Sequence, residues 1–146
     1  SEGYFVVCLL APLSEEIVFR GAIIRAILKW KSESGTSKVS AEWLAIVVSA
    51  LLFAVIHANP AQIPAAIVFG ILLGWLFIKT GSIVPGCIIH WINNSFAYVM
   101  LKIFPTVPID AHLADYFNGN QMAVAQAVIA SLFIALPSLY QLIKAR

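Results

Sequence analysis

Glu15 and Glu16 stand side by side in an otherwise apolar run, with Arg20 four residues beyond the second of them. Farther on, His57 closes the stretch Phe53-Ala54-Val55-Ile56-His57, and His90 opens His90-Trp91-Ile92-Asn93-Asn94. Carboxylates, imidazoles and carboxamides are the side chains that move protons and hold developing oxyanions. Helical spacing sorts their roles. Glu16 and Arg20 share a face, with the carboxylate on the favourable N-terminal side, so they are expected to pair. Glu15 is turned roughly 100° away from Glu16 and fits Arg20 less well. It is the carboxylate left available, and beside an imidazole it has the character of a general base awaiting a water. His90 and Asn94 are also four apart, and two donors on one face suit an oxyanion. Phe53 and His57 share a third face, an aromatic wall under an imidazole. Polar side chains in membrane bundles also serve simply to hold helices together. Three helices supplying such groups at once favour a site.

The elements that must position these groups are read from hydropathy. The chain of 146 residues is 61% hydrophobic and 11% charged, with a mean hydropathy of +0.92. Soluble domains run roughly 45–50% apolar and about 25% charged, so the composition points to a membrane protein. Its net charge of +2 is small, and where the charges lie is more useful than their sum; no nucleic-acid partner is expected. A spanning helix needs about 20 apolar residues. Five such spans are expected, over residues 3–30, 41–58, 63–79, 84–104 and 121–143. Pro12 is a candidate kink in the first. Residues 29–40 are expected to be a polar loop, residues 80–82 a tight turn and residues 105–120 a polar loop. Strands are not expected, because long uninterrupted apolar runs differ from barrel alternation. Lys29, Lys31, Lys38, Lys79, Lys144 and Arg146 mark the cytoplasmic ends, which places the C-terminus in the cytoplasm. Gly70 and Gly74 form a close-packing pair. Trp43, Trp75 and Trp91 read as interface anchors or packing residues, and Cys8 and Cys87 as small buried hydrophobes. The chain begins without Met and with no signal-peptide pattern, so it reads as part of a longer protein.

One geometric conflict is visible in advance. At about 1.5 Å per residue, Glu15 lies about 21 Å from Lys29, whereas His90 lies only about 9 Å past Val84. Straight, untilted spans would not bring them level. A strong tilt, a break near Pro12 or an offset start of the fourth span must intervene.

The motifs resemble those of the CAAX-protease and bacteriocin-processing (CPBP or Abi) family of intramembrane endopeptidases. That family carries Glu-Glu-x-x-x-Arg, then Phe-x-x-x-His, then His-x-x-x-Asn or Asp on successive membrane helices. Here they are Glu15-Glu16-Ile17-Val18-Phe19-Arg20, Phe53 to His57 and His90 to Asn94, with Gly21 after the arginine and a Gly70–Gly81 segment that also matches. The resemblance covers residues 11–96. It implies one all-α, polytopic, membrane-embedded protease domain over residues 1–146, in the cell membrane, acting on a peptide or protein substrate at the bilayer. Catalytic roles would fall on Glu15 and His57 as water activators and on His90 and Asn94 as the oxyanion site. Glu16, Arg20 and Phe53 would support them, with no cofactor. One alternative is a zinc protease with Glu15, His57 and His90 as ligands, although no His-Glu-x-x-His is present. A second is a non-catalytic scaffold or bacteriocin-immunity protein. A third, a transporter fragment with a proton-relay glutamate, would call for inverted repeats that the sequence does not display.

Overall fold

The computed structural model describes residues 2–57, 60, 62–103, 119–122, 125, 126 and 129. The chain divides into two compact units, Ser1–Ile103 and Phe104–Arg146. The 105–120 loop and the expected fifth span over 121–143 lie largely outside the described residues. Among the described residues there is no strand.

Helix α1 runs continuously over residues 2–33 but changes register on the way. It is α-helical over Glu2–Tyr4, π-helical over Phe5–Leu10, α-helical over Ala11–Glu16, π-helical over Ile17–Ile24 and α-helical again over Arg25–Glu33. Helices α2 (Lys38–Ile56), α3 (Ile63–Thr80) and α4 (Val84–Ile103) follow. By length and composition, α2 and α3 are the two described helices that could cross a membrane.

The loop expected over residues 29–40 is shorter than its polarity implied. Lys29, Lys31 and Glu33 propagate a helix well, and the Ser32 and Ser34 hydroxyls bond back to the Lys29 and Trp30 carbonyls. The break comes only at Gly35, at φ 66°. The Ser37 hydroxyl then caps α2 by accepting from the Ser40 N–H at 3.3 Å. Pro64 stands in the first turn of α3, where a missing N–H is harmless. Gly81, left-handed at φ 67°, ends that helix and begins the turn to α4.

Helices α2 and α3 touch at Gly70, where a Cβ would lie 2.9 Å from the Ala50 Cα. Gly74, one turn on, meets Ile46 and Ile24. The first half of α1 lies antiparallel to α4. The Tyr4 hydroxyl is 2.9 Å from the Ser95 hydroxyl and accepts from Trp91 Nε1 at 3.1 Å, and the Tyr4 ring meets Tyr98 edge-on. Toward the other end of this contact Ile83 packs on Ile24, Ala45 and Phe77, and Gly86 already abuts Glu16. Helix α4 thus starts well inside the bundle, short of the Lys29–Glu33 end of α1. Of the three ways to level His90 with the glutamates, the offset start is present.

The polarity is the reverse of a water-soluble protein. Phe5, Leu9, Leu13, Ile17, Val55, Val68 and Phe96 are exposed, while Glu16, Arg20 and Ser49 are fully buried and His90 is 2% exposed. Charged side chains are otherwise almost never buried unless paired. Such an arrangement suits lipid outside and a polar interior. Both cysteines are free.

Candidate active site

The polar cluster draws on all four helices, with Glu15, Glu16 and Arg20 on α1, His57 at the end of α2, the Gly70 carbonyl on α3 and His90 on α4. Arg20, in the second π stretch of α1, places Nη1 3.1 Å from Glu16 Oε1 and donates from Nη2 to the Gly70 carbonyl of α3 at 3.2 Å. Its guanidinium carbon lies 4.8 Å from the centre of the Phe53 ring of α2, a cation–π contact in a desolvated setting. The same π stretch presents the Phe19 carbonyl to the buried Ser49 hydroxyl of α2 at 3.1 Å. Register changes of this type gather at functional sites because they redirect side chains and carbonyls.

His90 of α4 sits between the two carboxylates. Its Nδ1 is 3.1 Å from Glu16 Oε1 and its Nε2 is 3.5 Å from Glu15 Oε2. A carboxylate accepts, so the Nδ1–H donates to Glu16. Glu16 therefore holds both Arg20 and His90 through one oxygen, while its Oε2 has no hydrogen-bond partner and faces Gly86. The Glu15 side chain is 23% exposed.

His57, the residue that ends α2, is fixed by its own helix. Its Nδ1 lies 2.8 Å from the Phe53 carbonyl. A carbonyl only accepts, so the proton is on Nδ1 and Nε2 is left for other chemistry. Phe53 touches both imidazoles, with ring centres 4.6 Å from His57 and 5.6 Å from His90. Phe69 of α3 completes the wall, 5.3 Å from His90.

A cavity of about 780 Å³ opens on this wall. It is lined by His57, His90, Asn93 and Asn94 together with Phe53, Phe69, Ala66, Leu72 and Gln62. Glu15 is not on its wall and joins the cluster through His90. Asn94 donates from Nδ2 to the Val7 carbonyl of α1 at 3.0 Å, and Asn93 donates to Asn94 Oδ1 at 3.3 Å. Among the described residues no group of three or more His, Cys, Asp or Glu is arranged to hold a metal ion.

Three contributors went unread in the sequence. Gly86 precedes His90 by one helical repeat, and Ser49 precedes Phe53 by the same step, so spacing could have flagged both. Phe69 carries no such signal.

The Ser1–Ile103 unit is thus a helical bundle of membrane-protein character built around a buried carboxylate–guanidinium–imidazole cluster. The chain belongs to the Rce1-like family: the model described as "Type II CAAX prenyl endopeptidase Rce1-like" matches residues 3–96. It is 29% identical over 101 residues to the "Membrane-embedded CAAX protease MroQ" of Staphylococcus aureus (strain USA300), across 69% of this chain and 40% of that protein. It is 23% identical over 103 residues to the "UPF0177 protein YxdF" of Lactococcus lactis subsp. lactis (strain IL1403), across 70% of this chain and 51% of that protein. The chain spans about half or less of the length of these curated relatives. No solved structure matches it.

Proposed function

We propose that this chain is the catalytic part of a multi-pass intramembrane endopeptidase of the cell membrane, with its C-terminus in the cytoplasm. It hydrolyses a peptide bond of a peptide or protein substrate at the bilayer, without a metal. The observation that carries this reading is the placement of His90 between Glu15 and Glu16, at the wall of a cavity that also holds His57 and Asn94. Membership of a protease family supports it.

In this reading Glu15 and His57 activate the water. Glu15 is the carboxylate not committed to Arg20, and His57 keeps Nε2 free to take a proton. As the water attacks the carbonyl, charge develops on its oxygen. His90 is held through Nδ1 by Glu16, which leaves its Nε2 edge for that oxygen, and Asn94 has a second N–H beyond the one given to Val7. Glu16 and Arg20 hold the His90 ring in place, and Phe53 separates the imidazoles.

The test compares Glu15→Gln with Glu16→Gln by peptide cleavage and by melting in detergent. Removal of a general base typically lowers rate by roughly 10²–10⁴, so Glu15→Gln should melt like the parent and cleave far more slowly. Glu15→Gln cleaving at the parental rate would refute the role, and a parent that cleaves no peptide would leave a membrane scaffold as the better reading.

A further inference from the structure

The hydrogen bond between Asn94 and the Val7 carbonyl has a cause in the primary sequence. In the π stretch Phe5–Leu10 each carbonyl is answered by the N–H five residues on, and the Ala11 N–H accordingly bonds to the Val6 carbonyl. One step along, the partner of Val7 would be residue 12. That residue is proline, which has no N–H. The Val7 carbonyl is left open toward α4, and the Asn94 Nδ2 fills it at 3.0 Å. Because the carbonyl only accepts, the carboxamide is oriented: nitrogen toward Val7, oxygen toward Asn93, which donates to it at 3.3 Å. Pro12 itself is buried, so it cannot be dismissed as a surface breaker.

We propose that Pro12 is a positioning residue for Asn94: it withholds the one backbone N–H that would otherwise occupy the Val7 carbonyl, and so sets the carboxamide that lines the cavity. The hydrogen-bond relationship stands by itself, while its consequence for rate rests on the endopeptidase reading. A backbone carbonyl is a rigid anchor, and a carboxamide held by one keeps its second N–H in a constant direction. With an N–H restored at position 12, the helix takes the Val7 carbonyl along its own axis, and the carboxamide must shift to the second lone pair or rotate away.

The experiment uses the full chain in detergent, with ¹⁵N-labelled asparagine. The Asn94 side-chain signal is assigned by its loss in Asn94→Ala. Its protons should exchange with solvent at least tenfold more slowly than a free carboxamide in the parent, and that protection should vanish in Pro12→Ala. An unprotected Asn94 in the parent overturns the proposal whatever the variants do, and so does full protection in Pro12→Ala. Cleavage kinetics supply the second arm. Pro12→Ala should lower kcat about tenfold with KM within twofold, yet change little when introduced into Asn94→Ala, because the two act as one unit. Equal loss in both backgrounds overturns the proposal. A parent that cleaves nothing removes the endopeptidase reading, and the exchange measurement then decides the Pro12–Asn94 relationship alone.

Discussion

Gly86 lies against the carboxylate of Glu16 so closely that a Cβ at Gly86 would stand 2.6 Å from Glu16 Oε2. The contact joins α4 to α1 at the buried end of the ion pair. No side chain fits there while Glu16 keeps its place between Arg20 and His90.

Gly86→Ala should therefore displace the Glu16 carboxylate and loosen both of its partners. Overpacking of this type costs about 1–3 kcal/mol, with a larger effect on cleavage than on melting. Gly21→Ala is the matched control, because its Cβ would meet only the Glu16 carbonyl at 3.9 Å. Melting temperature and turnover of both variants check this; parental turnover in Gly86→Ala would contradict it.

Gly70→Ala meets backbone rather than a movable side chain, with Ala50 Cα at 2.9 Å. Helices α2 and α3 must separate, and the Gly70 carbonyl that receives Arg20 moves with them. The expected loss is about 1–3 kcal/mol, read as a lower melting temperature in detergent. Little change would mean that the helices cross elsewhere.

Arg20→Met leaves Glu16 buried without its guanidinium, and breaking a buried pair costs about 3–5 kcal/mol. Replacing Glu16 by Gln in the same molecule removes the stranded charge. The double variant should melt above Arg20→Met while cleaving no better. A double variant that melts no higher than the single one would show that the ion pair is not the source of the loss.

Phe53→Leu opens space between the two imidazoles and under the Arg20 guanidinium. A large-to-small change in a packed core typically costs a few kcal/mol at most when the site can partly collapse. Turnover should fall further than stability does, since His57 and His90 lose a shared wall. Turnover and melting measured together separate the two effects.

Chelation tests the metal. Strong chelators should leave cleavage intact, and purified active protein should hold no stoichiometric zinc. Inactivation by a chelator with recovery on added Zn²⁺ would instead favour Glu15, His57 and His90 as ligands.

Composition and local spacing are properties of the chain alone, and they determine the helical, membrane-type character of this protein. They also determine which polar groups share a face, since a helix puts residues four apart side by side whatever surrounds it. The pairing of Glu16 with Arg20 and the bond from His57 to the Phe53 carbonyl are both of this kind. The ends of helices are less legible: residues 29–33 are polar yet helical, because polarity does not prevent intrahelical bonding. Only the tertiary structure decided which helix meets which. That His90 stands between Glu15 and Glu16 follows from the offset start of α4 and from the glycine at position 86, and no local pattern encodes that depth. The π register of α1 is equally hidden, because it is set by the packing of whole helices. Only in that register does Pro12 fall where the Val7 carbonyl needs an N–H, which leaves the carbonyl to Asn94 on another helix.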